Sequence, residues 1–315
     1  MFAGICIAVF AGSFVGSAVF KMKYKSPAFR KFSVKWNDSV GTVQTDLACG
    51  DLPANRFDLY LPADKTKEAY GLVVYLHAGG FTSGDKSGDH EMLEWLCSRG
   101  YVAAGINYTL RTEENAWANV YTQSVEIRDS IPFVIEAAKQ AGYEIDSMAI
   151  SGGSAGHALA MIYAYRDADQ APVPVKLVFG AVGPSSYYPE DWGCFGFDQP
   201  GTGEAAAAMF TVMSGNTITS DMFGTAAYDE AVKQISPLLW VDENTVPSVM
   251  AYGRYDKVQA FPASIRLDAK LTACGVDHAY LVAEHSGHGL QNDKGIYLQY
   301  LEKTEEYLNK YLPVK

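Results

Sequence analysis

Apolar positions along this chain fall into two patterns. Short unbroken runs alternate with longer stretches in which apolar residues return every three or four positions. Leu72-Val73-Val74-Tyr75-Leu76 is a run of the first kind, and it suits a strand buried on both faces of a parallel sheet. Runs of this kind predict strands near 57–61, 72–77, 102–107, 148–150, 176–182, 249–253 and 279–283. The helical period predicts helices near 91–98, 124–141, 155–166, 264–274 and 294–310. In the second of these, Ile127, Ile131, Val134, Ile135 and Ala138 form one apolar face. Pro132 interrupts that helix and predicts a kink or a late start. Asn292 or Asp293 fits as the N-cap of the last helix. Strands alternating with helices imply an α/β fold with a mostly parallel central sheet.

Residues 184–243 break the rhythm. They carry Tyr187, Tyr188, Trp192, Phe195, Phe197, Phe210 and Phe223 among glycines and prolines. This stretch is expected to be a cap insertion over the C-terminal edge of the sheet, where ligands bind in such folds. Its aromatics either line a substrate pocket or pack a small core of their own.

The tight turns carry the chemistry. The run Met148-Ala149-Ile150 leads into S-G-G-S-A-G-H at 151–157, and a helix-prone segment follows. Strand, G-x-S-x-G turn and helix are the context of a nucleophile elbow. Gly152 and Gly156 leave the room that such a turn needs, and Ser154 is the candidate nucleophile at the helix N-terminus. About 75 residues upstream, the 72–76 run ends in H-A-G-G-F. Gly79 and Gly80, with the N–H of Ala155, are the candidate oxyanion donors. Ala78 departs from the commoner H-G-G-G, at little cost to a loop that acts through its backbone. His77 is expected to brace this loop.

Downstream, a strand ends in G-R-Y-D, which puts Asp256 where a carboxylate can orient a histidine. A further strand runs into a loop holding His285 and His288. His288 is flanked by glycines and stands farther into the loop, so it is preferred as the base; His285 is closer to the strand end. His90 and His157 are expected to be structural or surface residues. The chain order Ser154, Asp256, His288 is the order of the α/β-hydrolase triad.

Six motifs together resemble the α/β-hydrolase superfamily, near the hormone-sensitive-lipase-like esterases. They are H-A-G-G-F at 77–81, I-N-Y-T-L-R at 106–111, G-G-S-A-G at 152–156, S-P-L-L at 236–239, G-R-Y-D at 253–256 and S-G-H-G at 286–289. The resemblance runs from about Phe57 to the C-terminus. N-Y-T-L-R stands where that group often has D-Y-R-L, so a carbohydrate-acyl-esterase subgroup fits as well. The resemblance implies a serine carboxylesterase acting on short acyl esters through an acyl-enzyme. Amide or formamide hydrolysis, as in kynurenine formamidases, and acyl transfer use the same triad and stay open. A non-catalytic binding module is disfavoured by the intact Ser, Asp and His.

Composition narrows the partners. The chain has 315 residues, 48% of them hydrophobic and 19% charged, enough for one large domain. Net charge is −11, and the first 35 residues hold six bases and no acid, which leaves 19 bases against 36 acids in the rest. So acidic a body disfavours nucleic acid. Residues 2–20 carry no charge; at ~1.5 Å per residue a helix of that length nearly spans a bilayer core. They are expected to be a membrane anchor or a signal-like segment, with Gly16-Ser17-Ala18 as a candidate cleavage site. As an anchor, the basic flank that follows puts the enzyme on the cytoplasmic side; as a cleaved signal, the protein is secreted. That flank can also meet anionic headgroups. The expected organisation is thus a segment over 1–20, a basic linker over 21–45, and a hydrolase domain over 46–315. Cys6, Cys49, Cys97, Cys194 and Cys274 form no C-x-x-C pair and suggest neither zinc nor a dense disulfide framework, with a bridge from Cys49 or Cys194 left open. No nucleotide loop is present, so no cofactor is implied.

Overall fold

A computed structural model describes residues 32–314. The apolar segment 2–20, Cys6 and the bases before Phe32 lie outside the described residues.

Among the described residues eight strands form one sheet in the order β1-β2-β4-β3-β5-β6-β7-β8. They are β1 (Gly41–Ala48), β2 (Arg56–Pro62), β3 (Tyr70–Leu76), β4 (Val102–Ile106), β5 (Ile145–Gly153), β6 (Val175–Ala181), β7 (Ser248–Gly253) and β8 (His278–Ala283). β1 with β2 and β2 with β4 pair antiparallel, and the other neighbours are parallel. The helices are α1 (His90–Ser98), α2 (Val120–Gln140), α3 (Ala155–Arg166), α4 (Gly203–Ser214), α5 (Ala226–Val232), α6 (Phe261–Ala273) and α7 (Ile296–Tyr311).

The unbroken apolar runs are unbroken because each strand feeds two cores. In β3, Leu72, Val74 and Leu76 face the core built with α2, α3 and α6, while Val73 faces the one built with α1 and α7. β4 divides in the same way, Val102, Ala104 and Ile106 against Ala103. Side chains alternate across a pleat, so a strand covered on both sides has no polar face to show. Each fully buried aliphatic side chain contributes roughly 1.5–3 kcal/mol.

Several expectations need correction. β1 is absent from the predicted strands. Val43, Gln44, Thr45 and Asp46 are all exposed, so β1 is held by backbone pairing with β2 and leaves no apolar signature. The sheet therefore begins inside the expected linker over 21–45. Phe32 also packs edge-on against Trp95 at 5.4 Å and Trp36 against Tyr60 at 5.7 Å. α2 starts at Val120 behind an Asn119 capping box and runs through Pro132 without ending. Pro132 lies on the exposed side of the helix, where the carbonyl it leaves unpaired can meet water. α7 begins at Ile296 with Gly295 at its N-cap, so neither Asn292 nor Asp293 caps it. The Asp293 carboxylate is taken instead by His285 and Ser286. Cys49, Cys97, Cys194 and Cys274 are free thiols, so neither Cys49 nor Cys194 forms a bridge with a described residue. Among the described residues no helix is long and apolar enough to cross a membrane.

Candidate active site

The elbow is built by what its glycines lack. β5 ends at Gly153, and Ser154 follows in a conformation rare for a side-chain-bearing residue, φ 52° and ψ −118°. A Cβ on Gly152 would lie 2.4 Å from the Gly156 carbonyl carbon, and one on Gly156 would lie 1.9 Å from the Leu76 carbonyl oxygen. No larger residue fits between these backbones. The Ser154 N–H donates to the Ala181 carbonyl at 2.8 Å, which ties the turn to the end of β6.

Two loops from β7 and β8 meet Ser154. His288 Nε2 lies 2.9 Å from Ser154 Oγ, and His288 Nδ1 lies 2.7 Å from Asp256 Oδ2. A carboxylate beside Nδ1 fixes the proton there and leaves Nε2 free to accept from the serine hydroxyl. The other Asp256 oxygen accepts the N–H groups of Val258 at 2.8 Å and Gln259 at 3.1 Å. The Asp256 side chain is fully buried. The two loops are locked to each other: the Tyr255 N–H donates to the Ser286 carbonyl at 2.9 Å, and a Cβ on Gly253 would lie 2.2 Å from the Gly287 oxygen.

His285 is elsewhere. Its side chain is 80% exposed against 16% for His288, and its Nδ1 pairs with Asp293 at 3.0 Å. His90 sits at the surface with Nδ1 against the Ser87 carbonyl. His157 is buried on α3.

After β3 the chain turns through Gly79 at φ 141°, Gly80 at φ 59° and Phe81 at φ 68°. The Gly79 carbonyl accepts from the N–H groups of Thr82 and Ser83 at 3.1 and 3.0 Å. Among the described residues the N–H groups of Gly79 and Gly80 donate to no protein acceptor. The Ala155 N–H opens α3, where helix N–H groups lack intrahelical partners. His77 braces this loop. Its ring stacks on Tyr108 at 4.3 Å, its Nδ1 bonds the Ala78 carbonyl, and Tyr108 returns a bond to the His77 carbonyl at 2.9 Å. Burial lowers the His77 pKa, so the ring stays neutral.

Two supports were not foreseen. Gln123 on α2 is fully buried, and its Nε2 donates to the carbonyls of Phe81 at 2.9 Å and Thr109 at 2.8 Å. Lys86 is buried as well and pairs with Asp46 at 2.8 Å and Asp58 at 3.0 Å. Burial works to lower the Lys86 pKa, but the bonds to both carboxylates prevail and raise it. Its backbone N–H donates to Asn107 at 2.7 Å, which ties the segment after the Gly79–Phe81 turn to the end of β4. The sequence carried one signal for Gln123: a polar pair, Gln123-Ser124, interrupts the apolar stripe between Val120 and Ile127.

The insertion's aromatics turn inward. Tyr187, Trp192 and Phe210 are buried and meet one another at 5.7–5.8 Å. They pack inward and join the core built with α2 and α3, so of the two expected roles these side chains take the packing one. A cleft of ≈ 400 Å³ is lined by Glu190, Asp191 and Cys194 of the insertion and by Tyr255, Asp256 and Phe261. Among the described residues no group of three or more His, Cys, Asp or Glu side chains is arranged to hold a metal ion.

Known proteins match this arrangement in fold. The BD-FAE family model matches residues 57–186, from β2 through the elbow to the start of the insertion. Esterase B from Lactobacillus rhamnosis (HN001) superposes with a TM-score of 0.68 at 18% identity, over 98% of this chain and 94% of that one. The chain has the α/β-hydrolase fold. The esterase Est2 of the Planctomycetes species Thermogutta terrifontis matches this fold with a TM-score of 0.65 at 19% identity, over 87% of this chain and 94% of that one. A truncated carbohydrate esterase from gut microbiota gives a TM-score of 0.66 at 17% identity, over 87% and 98%. No curated protein sequence matches the chain.

Proposed function

We propose that this α/β-hydrolase-fold protein is a serine carboxylesterase acting on short acyl esters, with Ser154, His288 and Asp256 as its triad. One observation carries the reading: the unbroken relay from Ser154 Oγ through His288 to a buried Asp256, with both links under 3 Å. His288 Nε2 takes the Ser154 proton as Oγ attacks the ester carbonyl carbon, and the carbonyl electron pair moves to oxygen. The N–H groups of Gly79, Gly80 and Ala155 receive that oxyanion, each contributing roughly 3 kcal/mol in the transition state. His288 then passes the proton to the departing alkoxide as the carbon–oxygen bond breaks. Water, deprotonated by the same nitrogen, hydrolyses the acyl-enzyme. Asp256 holds the imidazole in the tautomer that both steps need.

The neighbours support ester chemistry. Esterase B is described as inhibited by a tributyrin phosphonate, and Est2 as bound to propionate and as phosphorylated by paraoxon. The insertion's inward packing leaves it compact, which favours acyl groups from acetyl to butyryl over long chains. We also propose that residues 2–20 attach the enzyme to a membrane, with the basic flank against anionic headgroups; recovery of the full chain in a carbonate-washed membrane fraction tests this, and quantitative secretion with loss of the segment overturns it.

The experiment for the activity is turnover of p-nitrophenyl esters from acetyl to decanoyl. Ser154→Ala and His288→Ala are expected to lose several orders of magnitude in kcat and fluorophosphonate labelling, with His285→Ala close to wild type. Full activity in Ser154→Ala rejects the nucleophile. A steady rise in kcat/KM towards decanoyl rejects the short-chain pocket, and preferential turnover of N-formylkynurenine makes the enzyme an amide hydrolase.

A further inference from the structure

His288 stands inside a short loop, 285–293, between β8 and α7. Side chains join the two ends of that loop. Asp293 Oδ2 accepts the His285 backbone N–H at 3.0 Å and the Ser286 hydroxyl at 2.5 Å, and Oδ1 accepts from His285 Nδ1 at 3.0 Å. These bonds, that of Ser286 first, hold the Asp293 pKa below the ordinary carboxylate value. The Ser286 hydroxyl in turn accepts the N–H groups of Asn292 at 3.0 Å and Asp293 at 3.2 Å. Asn292 Nδ2 closes the ring by donating to the His285 carbonyl at 2.9 Å. Ser286 is fully buried, so breaking its bonds leaves a polar group unpaired away from water. From the same residue a bond runs to the other catalytic loop: the Ser286 carbonyl accepts the N–H of Tyr255, one residue before Asp256, at 2.9 Å. Between the joined ends the chain turns at Leu290, φ 54°, whose side chain is buried in the core that α7 helps to build.

From this ring of bonds we infer that Asp293 is a positioning residue: by tying His285 and Ser286 to the far end of the loop, it fixes the turn from which His288 reaches both Ser154 and Asp256. This assignment rests on His288 being the base of the proposed esterase. The Asp293 carboxylate is bonded to His285 and Ser286, not to the triad. It acts through Ser286, which lies two residues before His288 and carries the bond to the Asp256 loop. His288 has to meet Oγ at 2.9 Å and Asp256 at 2.7 Å at once. A loop free to swing at its ends would hold that double contact for only part of the time, and rate is lost with the geometry. The same bonds keep His285 turned outward.

Asparagine and alanine separate the bonding from the charge. In Asp293→Asn the amide oxygen can take the place of Oδ2 and keep the bonds from Ser286 and the His285 N–H. Its amide nitrogen then faces His285 Nδ1, which accepts in the other neutral tautomer. Asp293→Ala keeps none of these bonds. His285→Ala removes only the Oδ1 bond, in line with the mild effect expected of it. Asp293→Ala is expected to lose about 10²-fold in kcat on acetyl esters, the scale of an ångström-sized misplacement at a reacting atom. KM should stay within about two-fold, and fluorophosphonate labelling of Ser154 should slow in parallel with kcat. Asp293→Asn is expected to recover most of both. Equal kcat in the two variants overturns the inference: both normal means that the loop holds without Asp293, and both impaired means that its charge matters and not its bonds. Ser286→Ala cuts the same link from the other end, so the double variant with Asp293→Ala should be no slower than the slower single one, and losses that multiply overturn the inference. In the event that Asp293→Ala does not fold, Ser286→Ala alone should still lose about 10-fold in kcat and labelling at unchanged KM, and full turnover overturns the inference. If wild type neither turns over esters nor labels, the esterase reading fails. Hydrogen exchange of the wild type then still tests the bonding: the His285 N–H should exchange slowly although its side chain is 80% exposed, and exchange at the rate of an unstructured chain overturns the inference.

Discussion

Two regions face each other across the C-terminal edge of the sheet, and they are held in opposite ways. Around Ser154 the backbone is placed by side chains that are missing. Gly152, Gly156, Gly180 and Gly183 each leave space that a neighbouring backbone or the His157 ring occupies. In the insertion, by contrast, the backbone is placed by large side chains: Tyr187, Trp192, Phe210 and Tyr228 fill its centre. Close backbone contacts tolerate no added atom. An aromatic cluster loses energy when trimmed yet lets its neighbours relax in part. The first kind of construction suits a nucleophile that must point in one direction, and the second suits a cover.

The sharpest test of that contrast is Gly156→Val. Its first added carbon already falls 1.9 Å from the Leu76 oxygen. Loss of soluble protein, or of more than about 10³-fold in kcat in whatever folds, is expected. Near-normal turnover would show that the elbow can give way. On the other side, Phe210→Ala should cost about 3–5 kcal/mol of stability, read by urea unfolding. Its kcat on acetyl esters should change far less than that of any elbow variant. A collapse of kcat at unchanged stability would make the insertion part of the catalytic frame and break the comparison.

Gln123→Met keeps the volume and removes both donated bonds to Phe81 and Thr109. It should cost about 1–3 kcal/mol in stability. It should also weaken a transition-state analogue such as a boronic acid more than it raises KM, because the loop it holds carries the proposed oxyanion donors. Equal loss in both would assign Gln123 to packing alone.

The gentlest probe is pH. With its pKa held near 3 by burial, His157 refuses the proton that the unfolded chain accepts below about pH 6.5. The unfolded state therefore binds more protons through that window, and stability falls as pH falls from about 6.5 towards 3, by up to about 1.4 kcal/mol per pH unit. Burial shifts His77 in the same direction. His157→Gln should flatten this dependence in thermal melts between pH 4 and 7, and an unchanged slope would place the cause in other groups.

The places where the sequence was readable follow the same division. β3 to β7 were visible because strands covered on both faces leave continuous apolar runs. β1 was invisible because its exposed residues have nothing to bury. Pro132 read as an interruption because a proline removes a helical hydrogen bond wherever it stands, although it lies off the apolar face of α2, where water can replace that bond. The aromatics between Tyr187 and Phe223 were visible as a cluster, but not the direction in which they turn.

By itself the sequence determined the alternation of strands and helices and the elbow, and it singled out Ser154, Asp256 and His288 as candidates. Those features are written locally, in glycine spacing and apolar runs, and local backbone geometry depends on neighbours along the chain. Only the tertiary structure decided how the candidates pair. Ser154 and His288 are 134 positions apart, and Asp256 and His288 are 32 apart. The loop that joins His285 and His288 is short enough for either to have turned inward. It is the Tyr255–Ser286 bond and the bare Gly253 that bring one histidine to Asp256 and leave the other in solvent. The same holds for Gln123, Lys86 and His157, whose partners lie on other elements. A buried polar group needs a partner wherever the fold puts one, and no local pattern in the chain says where that is.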